Sequence, residues 1–104
     1  MHILVSGLVN TETTVPVRRF PVEYYPIDYP FFGVSTAVSG VGYNISRALR
    51  TLGDDVKLLS MTGTDFAASY IADELKRSGI AADHLKPCLQ ATPGRLCTEY
   101  YAGA

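Results

Sequence analysis

A glycine turn, Gly40-Val41-Gly42, is the first candidate for chemistry, because it lies where an extended stretch gives way to a helical one. Such a turn can present backbone N–H groups to a phosphate at a helix N-terminus. The dinucleotide fingerprint needs a third glycine three residues after the second, and Ile45 stands there. No Lys-Ser/Thr pair follows that would make a P-loop. No acidic residue ends the apolar run Val56–Met61, where a dinucleotide ribose would be held. A Rossmann-like nucleotide domain is therefore disfavoured, and a tight turn needing backbone freedom is the simpler account. Cys88 and Cys97 lie nine apart with no CxxC and no clustered histidine. They predict neither a disulfide scaffold nor a metal site, but small buried apolar side chains. His2 opens an extended run and His84 lies in a connection, so both read as structural or solvated. Asp65 suits a helix N-cap better than a general base.

The 104 residues carry nine Lys+Arg against ten Asp+Glu, a formal net charge of −1, which argues against a nucleic-acid partner. A hydrophobic fraction of 47 % is enough to fill a core. No apolar run approaches the ~20 residues that span a bilayer, so no membrane partner is expected. The opening Met1-His2-Ile3-Leu4-Val5-Ser6-Gly7 has no cationic leader, and a cytoplasmic location is predicted.

Elements that would position the turn follow from periodicity. Ile3–Val9 reads as a strand buried on both faces, broken by the polar run Asn10–Thr14. Residues 15–38 hold four of the six prolines and, between Phe20 and Phe32, six of the eleven aromatics. Proline excludes a helix there, and short strands in a projecting β-flap are expected. Its aromatics, Tyr24, Tyr25, Tyr29, Phe31 and Phe32 among them, predict packing within the flap or a contact surface. A helix is predicted from Tyr43 to Leu52, burying Ile45, Ala48, Leu49 and Leu52, with Gly53 ending it. Val56–Met61 is a second core strand. A second helix, Phe66–Ser78, would be capped by Asp65, bury Ala67, Ile71 and Leu75, and end at Gly79. Short strands follow near Leu85–Leu89 and at Leu96–Tyr101. The order is that of an α/β fold with a parallel sheet, yet two helices are too few to cover both its faces.

The run Ser39-Gly40-Val41-Gly42-Tyr43-Asn44-Ile45-Ser46, then six residues to Gly53 and nine more to Gly63, resembles the first signature of the ribokinase/PfkB carbohydrate kinases. Ser39 departs from the usual Gly or Ala. Gly7-Leu8-Val9-Asn10-Thr11-Glu12 looks like the family's first strand and sugar-meeting segment, with Glu12 for the usual Asp. Gly63-Thr64-Asp65 is similar to the Gly-Asp-Asp turn, with Thr64 departing, and Thr92-Pro93-Gly94 to the Pro-Thr-Gly that opens a lid strand. The resemblance covers essentially the whole chain, and its Asn44-to-Gly63 spacing is the most specific part.

The resemblance implies a ribokinase-like parallel α/β core, incomplete here, with a projecting β-sheet lid formed by residues 13–38 and about 95–101. Residues 1–104 would be its N-terminal part. It implies phosphoryl transfer from ATP with Mg2+ to a sugar or sugar-like hydroxyl. Asn10, Glu12, Gly40, Val41, Gly42 and Asn44 would bind that substrate. Carboxylates and amides fork onto adjacent hydroxyls, and glycine backbone lets a hydroxyl approach closely. Val41 stands where ribokinases proper carry Lys, which argues against ribose and for another sugar, sugar acid or nucleoside. The family's catalytic Asp and ATP pocket lie further downstream than these residues, so this chain alone is expected to hold no catalytic residue and no cofactor. A homodimer through the lid is expected, from its aromatics and open edges. The alternative is a stand-alone sugar-binding or oligomerisation module.

Overall fold

The computed structural model describes residues 1–27 and 33–100. They form two three-stranded sheets and two helices. The first sheet has β1 (His2–Ser6), β4 (Asp55–Met61) and β5 (Leu85–Lys86), all parallel, in the order β1-β4-β5. The second has β2 (Asn10–Val17), β3 (Ser35–Ser39) and β6 (Gly94–Tyr100), in the order β3-β2-β6. Strand β2 is antiparallel to β3 and parallel to β6. Helix α1 spans Val41–Thr51 and α2 spans Phe66–Arg77.

Helix α2 follows its sequence pattern. The Asp65 side chain accepts from the Ala68 N–H, Ile71 and Leu75 are buried, and Gly79 closes the end with φ 74°. Val56 and Leu58 are buried on β4, as an internal strand requires. One cluster forms the core: Val9, Tyr43, Leu58, Ile71, Leu75 and Ile80. The Tyr43 and Ser78 hydroxyls lie 3.3 Å apart, joining the ends of the two helices. Both helices feed this one cluster. The other face of the first sheet holds Leu4, 60 % exposed, which leaves that face open among the described residues.

Four expectations change. The first strand stops at Ser6, and its residues alternate between half-buried and exposed instead of being buried throughout. The polar run Asn10–Thr14 does not break the extended chain. It begins β2, an eight-residue strand flanked by partners on both sides, where β-branched threonines are well placed. Near residue 85 only Leu85–Lys86 forms a strand. The apolar stripe of α1 does not face the core: Gly42, Tyr43 and Ser46 do, while Ile45 is 47 % and Leu52 79 % exposed. The cause is a close approach. A Cβ on Gly42 would lie 2.6 Å from the Gly7 carbonyl carbon, so the helix packs there backbone to backbone. That contact turns the helix about a third of a turn from the phase its apolar residues suggest. Of the flap aromatics, Tyr29, Phe31 and Phe32 lie outside the described residues, whereas Phe20, Tyr24 and Tyr25 are exposed.

Candidate functional site

Three chain crossings between the two sheets meet at one end of the second sheet. β1 passes into β2 through Gly7–Val9, β3 passes into α1 through Gly40, and β5 reaches β6 through residues 87–93. The register aligns them, with Asn10 beside Ser39 and Thr11 beside Gly94. The backbone binds this junction together: the Tyr43 N–H donates to the Leu8 carbonyl at 3.3 Å and the Thr11 N–H to the Pro93 carbonyl at 3.2 Å.

Gly40 is the N-cap of α1, with φ 102° and no side-chain cap. This left-handed backbone favours glycine. A Cβ there would also lie 2.6 Å from the Leu8 carbonyl oxygen and 2.9 Å from the Asn10 Oδ1. Asn10 is only 6 % exposed; its Nδ2 donates to the Thr11 carbonyl at 3.1 Å. Its Oδ1 is buried with no hydrogen-bond partner among the described residues. A buried amide oxygen left unpaired costs about 1–3 kcal/mol. Asn44 is exposed in the first turn of α1, and its N–H makes the first helical bond to the Gly40 carbonyl at 2.9 Å. Val41, beside it, is 68 % exposed.

Glu12 follows Asn10 by two residues on β2 and so projects to the same face. Its Oε1 accepts from the Cys97 thiol at 3.6 Å across to β6. No hydrogen bond joins Glu12 to Asn44 among the described residues. The six predicted residues thus fall into a tight group, Asn10 with Gly40, Val41, Gly42 and Asn44 at the junction, and Glu12 one step up the second sheet. An open cleft of ≈ 370 Å³ lies higher on that sheet, lined by Thr14, Ser35, Glu99 and Tyr100 among others, and includes none of the six.

Two features carry no signal in the spacing. Cys97 is half-buried beside Glu12 and Cys88 is exposed, so neither is the buried apolar group expected. The second is the use of Asp65. Besides capping α2, its Oδ1 accepts from the Thr92 hydroxyl at 2.5 Å and its Oδ2 from the Thr92 N–H at 3.0 Å. The Gly63 N–H donates to the same Thr92 hydroxyl at 2.9 Å. The Thr92 hydroxyl, and then its N–H, hold the Asp65 carboxyl below the usual carboxylate range, against a small opposing effect of desolvation.

The pfkB family carbohydrate kinase model matches residues 2–100. The chain belongs to this family. It is 40 % identical over 80 residues to an uncharacterised sugar kinase of Escherichia coli K12, YeiI, a match covering 76 % of this chain and 21 % of that protein. Among solved structures it is similar to a Methanocaldococcus jannaschii nucleoside kinase of the ribokinase family (TM-score 0.79, 23 % identity, 99 % of this chain and 34 % of that one). It is also similar to a Cryptococcus neoformans ribokinase in complex with ADP (TM-score 0.74, 23 % identity, 99 % and 32 %). These structural likenesses establish a ribokinase-like fold, and the chain spans about a fifth to a third of the length of these relatives.

Proposed function

We propose that this chain supplies the sugar-binding and lid portion of a cytoplasmic ATP-dependent carbohydrate kinase. The observation that carries the reading is the convergence of Asn10, Gly40, Gly42 and Asn44 at one junction, with Glu12 directly above it. An amide, a carboxylate and glycine backbone together suit a ligand with adjacent hydroxyls. Residues 13–38 with about 95–101, to which most of the second sheet belongs, act as the lid that excludes water from the transferred phosphoryl group. The flap aromatics and open strand edges of this lid join two copies of the protein.

No group of three or more His, Cys, Asp or Glu side chains that could hold a metal occurs among the described residues. As the family resemblance implies, we assign Mg2+ and ATP to residues outside this chain, and we expect the 104 residues alone not to transfer phosphate. ATP supplies the phosphoryl group from a site elsewhere in the complete protein. What this chain contributes is binding and orientation of the acceptor hydroxyl.

The test is ADP formation by the protein that carries this chain, with pentoses, hexoses, sugar acids and nucleosides as acceptors. At least one is turned over. With that acceptor, Glu12→Gln and Asn44→Ala each raise KM about tenfold, with a smaller change in kcat. Failure of every acceptor, or an unchanged KM in both variants, overturns the proposal.

A further inference from the structure

Glu12 stands on β2 with two candidate partners on β6. Arg95 is its register partner, so the two side chains leave adjacent strands on one face. Cys97 lies two residues further along β6 and so on that same face. Opposite charges set side by side in a sheet attract, and an arginine can grip both oxygens of a carboxylate. Yet no ion pair joins Arg95 to Glu12, or to any other carboxylate, among the described residues. The Glu12 Oε1 accepts instead from the diagonal Cys97 thiol, 3.6 Å away. Cys97 is half-buried, whereas every other residue of β6, Arg95 included, is exposed. Two residues before Glu12 on the same face, the Asn10 Oδ1 is buried without a partner among the described residues. A ligand hydroxyl that donates to it would neighbour Glu12.

We propose that Cys97 is a positioning residue for Glu12, whose thiol holds the carboxylate away from Arg95. A carboxylate forked onto a guanidinium has both oxygens engaged, and a substrate hydroxyl must break that pair to reach them. A thiol is a weak donor and occupies one oxygen only. It fixes the direction of the Glu12 side chain and leaves the other oxygen for the acceptor. Without the thiol, Glu12 turns to its register partner and the exposed Arg95 captures it. The effect on acceptor binding rests on the sugar-kinase reading; the contacts among Glu12, Cys97 and Arg95 do not.

Chemical labelling of the protein that carries this chain, read residue by residue by peptide mass spectrometry, tests the contacts without substrate. The exposed Cys88 is an internal reference for iodoacetamide. Glu12→Gln removes the negative charge beside the Cys97 thiol, so alkylation of Cys97 relative to Cys88 rises about threefold. Cys97→Ala lets Arg95 pair with Glu12, so phenylglyoxal modification of Arg95 slows about threefold, whereas Cys97→Ser keeps a donor and the parent rate. With an acceptor that is turned over, Cys97→Ala raises KM about fivefold with kcat within about twofold. Adding Arg95→Met to Cys97→Ala returns KM to within about twofold of the parent, which a merely structural role of Cys97 would not do. The proposal is overturned if Cys97 alkylation is unchanged in Glu12→Gln, or if Arg95 labels equally in Cys97→Ala and the parent. It is also overturned if Cys97→Ala leaves KM unchanged, or if the added Arg95→Met restores nothing. If no acceptor is turned over, the sugar-kinase reading fails and the two labelling results alone decide this proposal.

Discussion

Gly42 carries the tightest steric requirement at the junction, with a Cβ placed 2.6 Å from a Gly7 backbone carbon. Neither partner is a flexible side chain, so Gly42→Ala must push α1 off the β1–β2 connection. We expect a loss of about 1–3 kcal/mol, read from denaturant midpoints, as for other overpacked sites. Ala48→Gly, on the exposed side of the same helix, costs about 1 kcal/mol through helix propensity alone and serves as the control. Asp65 gives a prediction in pH. Its folded-state pKa is lowered by Thr92, so its contribution is present above the unfolded pKa and declines as pH falls through the folded one. In acid, protection of the Gly63 amide should fall before that of the β4 amides, and Asp65→Asn should remove that difference. At this scale the sequence was informative where local chemistry decides. Asp65 as N-cap, Gly53 and Gly79 as helix ends, and the glycine turn are all readable from neighbours in the chain. The Cys97 contact with Glu12 and the Thr92 contact with Asp65 join residues far apart in sequence, where spacing holds no information.

Among elements, α1 and α2 respond differently to the same kind of pattern. Ile71 and Leu75 of α2 bury as their periodicity says. In α1 the phase is set by the Gly7–Gly42 contact, and the more apolar stripe is left outside. Ser46 occupies the inward face, its hydroxyl donating to the Gly42 carbonyl at 2.8 Å. We expect Ser46→Leu to destabilise by about 1–3 kcal/mol in thermal melts, although it adds an apolar residue to a helix, because that face has no room. Strand β2 shows a similar effect of context. Its asparagine and first threonines read in isolation as a polar break after an apolar strand, and two flanking strands make them a ladder.

For the whole molecule, the α/β class and the shortage of helices were legible, since element order and number alone dictate them. The prolines and aromatics of residues 15–38 made a projecting flap legible, whereas its pairing with β6 was legible only through the family resemblance, because a parallel pairing between β2 and β6 leaves no mark on either segment. Val41, Ile45 and Leu52 present an exposed apolar row on α1, and Phe20, Tyr24 and Tyr25 another around the flap. Apolar surface of this kind marks contact sites. If the second of these joins two copies, light scattering of the protein that carries this chain gives a dimer, and Tyr24→Asp with Tyr25→Asp gives a monomer with unchanged circular dichroism. A monomer in the parent protein would refute the lid interface.

The pairing of Thr11 with Gly94 has a consequence for how the chain is made. The ribosome releases β2 before both helices and before β4 and β5, and its partner β6 only after them. Until β6 emerges, β2 can pair on one side only, with β3. Loop closure between such distant segments slows folding, and an unpaired strand edge is open to the wrong partner meanwhile. The strands β1, β4 and β5 and both helices precede β6 in the chain, so they can assemble while the second sheet is still a two-stranded hairpin.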